Sequence, residues 1–251
     1  MSLPWREKLA MLLPPSWFYG RRIAYETGTG EPELAVLDRL MRRGGTAVDV
    51  GANQGFFAFA LSALATRVVC FEPNPDYAAF ARWMLRGRAE VHTLALADKP
   101  GNETFYVPHS DEGLVLHLAG SLKRAHHQFK TIESYPVEVR TLDSFRLSDV
   151  TFIKIDVEGS EPEVLEGLTR PVPALAFEFL PRALEQADAC IARLGFLGEY
   201  VFNWSSGETH RLAERSWLSD REVRAALRSS EARRRSGDVY ARIAEPSNRS
   251  L

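Results

Sequence analysis

The stretch "TAVDVGANQGFFAFAL", residues 46–61, decides the fold because it joins an apolar run to a helix-like run through two glycines. The run at 46–50 is short and apolar, as in a buried strand, and 56–65 has the composition of a buried helix. Gly51 and Gly55 lie between the two runs. A strand, a glycine-containing turn and a helix in this order are typical of a ligand-binding βα unit, although an ordinary tight turn has the same pattern.

Short apolar runs and helical periods alternate along the rest of the chain. The further predicted strands are 67–72, 91–97, 103–107, 136–142, 150–157, 173–179, 195–204 and 238–243. The further predicted helices are 31–43, 75–86, 161–168 and 181–194. This alternation indicates βαβ units and a mostly parallel sheet that is covered on both faces. The last two predicted strands have no strong helix between them, which indicates an antiparallel pair at one edge.

The pattern predicts one α/β domain at 45–251, preceded by an N-terminal helical cap at 1–44. No internal repeat or low-complexity linker divides the chain. An irregular insert is expected at about 108–135, because these residues have no clear period. A segment of this length without regular structure is often a lid or a binding loop.

Composition limits the classes of function. The chain has 251 residues and a formal net charge of −2, so no nucleic-acid partner is expected. The basic run at 221–235 is interpreted as a solvated helix face rather than a binding surface. Cys70 and Cys190 each lie in an apolar run and are predicted to be buried free thiols.

No stretch approaches the roughly 18 uninterrupted apolar residues of a membrane-spanning helix, so no integral membrane segment is expected. The first 20 residues lack the layout of a secretory signal, since their apolar run is short and ends in Pro14 and Pro15. We therefore expect a cytoplasmic protein. The apolar N-terminus is interpreted as a cap on the core, with a homodimer contact or contact with a membrane surface as the alternatives.

The turn and the acid that follows it indicate the kind of ligand. Glu72 lies 21 residues after Gly51, at the end of the next predicted strand, where a Rossmann-type unit has a carboxylate that binds the ribose hydroxyls of adenosine. The turn reads D-x-G-x-x-x-G from Asp49 to Gly55, without the middle glycine that admits a pyrophosphate. S-adenosylmethionine has the ribose diol, has an ammonium group for Asp49 and carries no phosphate. It is therefore favoured, and a tight turn with an incidental glutamate is the alternative.

Blocks of sequence resemble a known family. The segments "VDVGANQGFFA", "VVCFEPNPDYAAFA", "FIKIDVEGSEPEVLEGL" and "ALAFEF" occur in this order within about 46–180 and are similar to the FkbM family of S-adenosylmethionine-dependent methyltransferases. The resemblance implies the Rossmann-like class I methyltransferase fold, with a seven-stranded sheet whose last strand is inserted antiparallel. It also implies methyl transfer to an oxygen, commonly a hydroxyl of a sugar or a polyketide-type natural product. The acceptor would then be a small molecule or a glycan.

The turn, the spacing and the resemblance together give a set of cofactor-binding residues. The turn glycines are expected to leave backbone N–H groups free for the carboxylate end of the cofactor. Asp98, after the third predicted strand, is expected to accept a hydrogen bond from the adenine amino group. The residues expected to bind the cofactor are Asp49, Gly51, Asn53, Gly55, Glu72, Asp98 and Asp156.

Acidic residues at the ends of the later strands are the catalytic candidates. Asp156 and Glu158 alternate along the chain and share one side of it, so one of their pKa values should be raised, which suits a base or a metal ligand. Alternatively, Asp156 orients the cofactor and Glu158 caps the following helix. Lys154 points the same way as Asp156 and can pair with it or with an anionic substrate. Glu178 is a third acid at the same rim.

Histidines of the insert are the other candidates for a base, because imidazole titrates near neutral pH. His126 is taken as the representative of His109, His117, His126 and His127, although a surface or packing role is favoured for each one. Metal ligation is possible among a histidine, Asp156, Glu158 and Glu178, but no spacing requires it and no metal site is predicted. The rival functions are an NAD-dependent oxidoreductase and a non-catalytic binding domain that keeps the cofactor fold.

Overall fold

The strands and helices alternate as expected in the part of the chain that this computed structural model describes, which is residues 11, 14, 17–19, 32–109, 120–123, 131–207, 211–229 and 232–244. The strands are β1 (Thr46–Val50), β2 (Arg67–Phe71), β3 (Glu90–His92), β4 (Ala95–Leu96), β5 (Gly101–His109), β6 (Thr131–Arg140), β7 (Val150–Ile155), β8 (Ala174–Phe179), β9 (Tyr200–Trp204) and β10 (Gly237–Ile243). The helices are α1 (Pro32–Leu40), α2 (Phe56–Leu61), α3 (Pro75–Leu85), α4 (Glu161–Glu166), α5 (Leu184–Leu197) and α6 (Asp220–Ala226).

The main sheet has seven strands in the order β3-β2-β1-β7-β8-β10-β9. The pairs from β3 to β8 are parallel, whereas β10 runs antiparallel to both β8 and β9. The predicted mostly parallel sheet with an antiparallel edge pair is therefore confirmed. The strand order reverses between β1 and β7, and such a switch point is where open parallel sheets leave a crevice for ligands.

The predicted strand at 91–97 is wrong, because the chain leaves the main sheet halfway along it. Its first part continues the main sheet as β3, and its second part is β4 of a small sheet with the order β4-β6-β5. Ala95 and Ala97 pack there against apolar residues of β5 and β6, including Phe105 and Val139. The apolar run is thus divided between two cores.

Other boundaries differ for local reasons. Residues 195–197, predicted as strand, end helix α5, and β9 begins only at Tyr200. The insert is more regular than expected, because β5 reaches His109 and β6 begins at Thr131. Within the run at 221–235, α6 buries Val223 and is held at its start by a capping box at Ser219.

The two faces of the main sheet are covered by separate apolar clusters. One cluster contains residues of β7, β8, α4 and α5, and the other contains Tyr19 together with residues of α1, α2 and α3. Tyr19 is fully buried and stacks on Phe59. Cys70 and Cys190 are buried free thiols, as predicted. None of the helices in the described ranges combines the length and the apolar character that crossing a membrane requires.

The turn after β1 passes very close to the end of β7. Gly51 has φ 82°, and a Cβ added to it would overlap the carbonyl oxygen of Asp156. The Asp156 N–H also donates to the Val50 carbonyl oxygen at 2.9 Å, which ties the two strand ends together. The close approach of the protein backbone therefore requires a glycine at position 51, whether or not a ligand also lies against the turn.

Replacing Gly51 by Ala tests this close approach, and Gly87→Ala is a matched control. Gly87 has φ 79° but nothing within 4 Å of an added Cβ, so only the cost of a positive φ, about 1 to 2 kcal/mol, applies there. Gly51→Ala also forces β1 and β7 apart, and we expect it to lower the free energy of unfolding by at least about 2 kcal/mol more than the control. Urea unfolding of both variants measures the difference, and equal losses would contradict the steric argument.

Candidate functional site

A cavity of about 300 Å³ opens at the carboxyl ends of the central strands, next to the switch point between β1 and β7. This volume is at the lower end of the range for small-molecule sites. Its floor is formed by the ends of β1, β2, β7 and β8 and by the start of β10, and the small sheet covers one side with Ala95, Leu96 and Phe105. Gly120 and Leu122, from the predicted insert, also line it. The sequence-based position of the site is thus supported by the fold.

The amide groups of the glycine turn are not free to bind a ligand. Each N–H group from residue 51 to residue 55 donates a hydrogen bond within the protein. In chain order, the acceptors are the Phe71 carbonyl oxygen for Gly51 and Ala52, the Glu72 carboxylate for Asn53, the Asn53 side-chain oxygen for Gln54 and the Ala52 carbonyl oxygen for Gly55. These hydrogen bonds fix the turn itself, and the expectation that the same groups hold the carboxylate end of a cofactor stays a prediction.

The two glycines of the turn have different surroundings. Gly51 lines the cavity, whereas Gly55 is not among the lining residues. Gly55 has φ 79°, and an added Cβ would lie 3.1 Å from Leu85 of α3 and 3.2 Å from the hydroxyl of Tyr19. Gly55 therefore permits α2 to pack on its neighbours and has no direct place in the cavity wall.

Glu72 follows β2 directly and is held by two backbone groups. Its carboxylate accepts from the Asn53 N–H at 2.7 Å and from the Asn74 N–H at 2.8 Å, and it lines the cavity. Burial raises the pKa of Glu72 to about 7, although these two hydrogen bonds oppose the shift. Each carboxylate oxygen has a second lone pair, so the fixed side chain can also accept from hydroxyl groups in the cavity.

Asp49, in β1, is a buried acid with spare acceptor capacity. It is 2% exposed, it lines the cavity, and the Ala58 N–H at the start of α2 donates to its carboxylate. Its Oδ2 atom has no hydrogen-bond partner among the described residues. Burial raises the pKa of Asp49 to about 7, while Lys154 partly opposes the shift. A cationic group in the cavity would satisfy this atom and favour the ionised form.

Asp98 does not reach the cavity. Its side chain is exposed and does not line the cavity, so the structure gives its predicted hydrogen bond to adenine no support. The reason is the divided strand at 91–97, which turns Leu94, Ala95 and Leu96 toward the cavity instead. These residues, with Phe71, form an apolar wall beside Glu72.

Three acids converge at the ends of β7 and β8. One carboxylate oxygen from each of Asp156, Glu158 and Glu178 lies within 4.8 Å of the other two. Burial and the negative charge of Asp156 raise the pKa of Glu178 to about 10 and that of Glu158 to about 7. The prediction that crowded carboxylates at this rim raise a pKa is therefore confirmed, and it holds for Glu158 and Glu178.

Lys154 lies below these acids and has a partner that the sequence did not identify. Its Nζ atom is 2.6 Å from Oδ1 of Asp238 and 3.4 Å from Oδ2 of Asp156. Burial disfavours the charged form, but Asp238 and Asp156 raise the pKa of Lys154 well above its ordinary value. Asp238 is the second residue of β10 and pairs with Glu178, and the antiparallel insertion of that strand brings it to the site.

The loop between β7 and α4 is fixed without using the hydroxyl of Ser160. Ser160 is the N-cap residue of α4, yet its side chain makes no capping bond. Instead, the Glu161 carboxylate accepts from the N–H groups of Val157 and Gly159 at 3.0 and 3.1 Å. The alternative role of Glu158 as the cap of this helix stays a prediction. Glu158 has φ 54°, and its carbonyl oxygen accepts from the Ser121 hydroxyl at 2.9 Å.

The histidines of the insert cannot be placed in the site. His117, His126 and His127 lie outside the described residues. Only the backbone of His109 is described, at the end of β5. The acids of the rim are thus the candidate bases that the described structure brings together.

Comparison with known proteins gives a family match and a structural likeness. Residues 49–225 match the family described as "Methyltransferase FkbM domain". No curated protein sequence matches the chain. The chain is similar to the solved structure of methyltransferase FkbM from Methylobacillus flagellatus KT, with 18% identity and a TM-score of 0.51 over 89% of this chain and 54% of that one. It thus spans about half the length of that protein.

A second solved structure is less similar. It is the precorrin-6y C5,15-methyltransferase from Geobacter metallireducens GS-15, with 13% identity and a TM-score of 0.45 over 84% of this chain and 86% of that one. The likeness to the Methylobacillus structure shows the fold, which is the predicted class I methyltransferase fold.

The raised pKa of Asp49 makes the stability of the folded chain depend on pH. Between about pH 4 and pH 7 the unfolded chain loses this proton while the folded chain keeps it, so the free energy of unfolding falls as the pH rises. Asp49→Asn keeps an acceptor for the Ala58 N–H and removes the titration. We expect this variant to be more stable than the unaltered protein at pH 8, by on the order of 2 to 4 kcal/mol, with a smaller difference at pH 4.

Urea unfolding at pH 4 to 8 measures how the free energy of unfolding depends on pH in the Asp49→Asn variant and in the unaltered protein. Asp98→Asn is the control, since Asp98 is exposed, and its pH dependence should follow that of the unaltered protein. An Asp49→Asn variant with an unchanged pH dependence would show that this carboxyl does not keep its proton in the folded state.

Proposed function

The chain belongs to the FkbM methyltransferase family, and we propose that it transfers a methyl group from S-adenosylmethionine to a hydroxyl oxygen of a sugar or polyketide-type natural product. Membership of a methyltransferase family decides against the NAD-dependent alternative. The acceptor class comes from the family resemblance in the sequence, and a small molecule or glycan suits a cavity that opens at the strand ends. The observation that carries the proposal is a cavity that combines acceptors for a cationic nucleoside with three crowded acids.

The described residues fit the methyl donor at several places. Glu72 offers free lone pairs for the ribose hydroxyls, and the apolar wall at 94–96 suits the adenine ring. Asp49 offers an unpartnered Oδ2 atom for the α-ammonium group. Because the turn amides are used within the protein, the carboxylate of the donor must find other groups. We keep Asp49, Glu72 and the cavity backbone at Gly51 and Asn53 as the proposed binding residues.

The acids at the ends of β7 and β8 are proposed to act at the other end of the cavity. When bound, S-adenosylmethionine supplies the methyl group, whose bond to sulfur breaks as the bond to oxygen forms. A neutral alcohol is a poor nucleophile, so its proton must pass to a base during attack. We propose that Asp156 or Glu158 accepts this proton, with His126 as the alternative base. Asp156, which lies next to Lys154, can also orient the donor.

The part of the insert that lines the cavity is proposed to act on the acceptor. Transfer requires the acceptor oxygen and the methyl carbon at a separation of about 3 to 3.5 Å and in line. Leu122 and Gly120, from the insert, line the cavity together with Glu158, and the Ser121 hydroxyl binds the Glu158 carbonyl. We therefore propose that the insert selects the acceptor and excludes water from the transfer.

Glu72→Ala tests the cofactor site. It removes hydrogen bonds from the ribose to a charged group, each of which contributes about 1.5 to 3 kcal/mol, so S-adenosylmethionine should bind at least about tenfold more weakly. Isothermal titration calorimetry measures the affinity, and circular dichroism checks that the turn remains folded without its acceptor. Asp98→Ala, which changes an exposed acid outside the cavity lining, should bind as well as the unaltered protein. Unchanged affinity in Glu72→Ala would refute the assignment.

Transfer of a labelled methyl group tests the reaction. Sugars and hydroxylated polyketides are offered beside analogues that lack the hydroxyl group, and nuclear magnetic resonance locates the methyl group in the product. Glu158→Gln and His126→Ala should bind the donor normally, and the variant that has lost the base should turn over about 100-fold more slowly. Glu185→Gln, an exposed glutamate on α5, is the control. Methylation of nitrogen or carbon would rule out the proposed acceptor class.

A further inference from the structure

We infer that Asp156, Glu158 and Glu178 form a binding site for one divalent cation of the Mg²⁺ or Mn²⁺ type, with the hydroxyl of Ser160 beside it. All four residues line the same cavity. Carboxylate and hydroxyl oxygens are the hard ligands that these ions prefer. The spacing in the sequence did not require a metal ion, so this site arises from the fold.

The geometry of the three acids suits a single ion. One oxygen from each lies within 4.8 Å of the other two, so a point about 2.8 Å or less from all three exists between them. Bonds of about 2.0 to 2.2 Å to Mg²⁺ or Mn²⁺ then need only small side-chain rotations. The ligands come from the ends of two adjacent strands, β7 and β8, which hold them at a fixed separation.

Polar atoms without partners point to a ligand at this place. Ser160 is 2% exposed, and its Oγ atom has no hydrogen-bond partner among the described residues. Oε2 of Glu178 is likewise buried without a partner. Ser160 follows Glu158 by two residues and faces the same cavity, although as an N-cap residue it would ordinarily bond to its own helix. A cation with its water molecules would satisfy both atoms.

Lys154, which lies near the three acids, pairs most closely with a fourth acid. Lys154 is nearest to Asp238, at 2.6 Å, and is 3.4 Å from Asp156. The ion pair with Asp238 uses the single positive charge of Lys154 for an acid that is outside the group of three. Of the three acids, Lys154 contacts Asp156 at 3.4 Å, and a divalent ion bound among them would supply further positive charge.

A cation here would act on the acceptor. An ion that binds the acceptor oxygen lowers the pKa of the hydroxyl group, and the released proton passes to water or to a nearby base. This catalytic role rests on the proposed O-methyl transfer, whereas the ion site itself does not. The acids would then be metal ligands in addition to, or in place of, being the base.

Titration with Mn²⁺ tests the site. The full-length protein is treated with a chelator, desalted and titrated with Mn²⁺, and electron paramagnetic resonance reports the free ion. One Mn²⁺ per chain should bind, and Mg²⁺ should displace it. Glu178→Gln and Asp156→Asn should each weaken binding at least about tenfold, and Ser160→Ala should weaken it less. Glu185→Gln, which changes an exposed carboxylate on α5, should bind Mn²⁺ unchanged.

Two results would overturn the inference. The first is no Mn²⁺ binding at millimolar concentration, and the second is binding that survives both Glu178→Gln and Asp156→Asn. Thermal unfolding of each variant checks that lost binding is not lost folding. Titration of the same samples with S-adenosylmethionine separates the two proposals, because a chain that binds the donor but no Mn²⁺ retains the methyltransferase proposal and loses the metal site.

Discussion

The close approach of Gly51 to the Asp156 carbonyl is the constraint on which the site depends. At a switch point the connections after two neighbouring parallel strands leave on opposite sides of the sheet, and a crevice opens between them. Here the turn after β1 lies directly on the backbone that follows β7, and only a residue without a Cβ fits. The two strand ends therefore form one continuous wall. Acids from β1, β2, β7 and β8 consequently meet around one small volume instead of lying along separate loops.

The burial of these acids around one cavity lowers the free energy of unfolding near neutral pH. Burial raises the pKa of Asp49, Glu72, Glu158 and Glu178, so the folded chain holds protons that the unfolded chain would lose near neutral pH. Among the described residues, Lys154 is the buried cation beside them, and its shortest ion-pair distance is to Asp238. A site whose buried acids keep protons in this way is matched to a positively charged ligand, because such a ligand favours the ionised forms. The sulfonium and ammonium groups of the donor are of this kind, as is the inferred divalent cation.

Much of the fold was predictable because buried parallel strands are short apolar runs. β1 was predicted without error, and β2, β7 and β8 within two residues. The strand at 91–97 was not, since apolar composition does not reveal which of two cores a residue enters. Glu72 was found from its spacing after the turn, whereas Asp98 was misplaced by the same divided strand. Asp238 left no local signal: it meets Lys154 across 84 residues, through an antiparallel insertion.

The glycine turn shows that a motif can identify a place in the fold without showing what its backbone groups bind. The pattern from Asp49 to Gly55 identified the right place in the fold, but the same flexible backbone can serve a ligand or the protein. In this chain the N–H groups of the turn bind the Phe71 carbonyl, the Glu72 carboxylate and the turn itself. One of those bonds orients Glu72. The turn thus contributes to the site by fixing Glu72, an acid that faces the cavity.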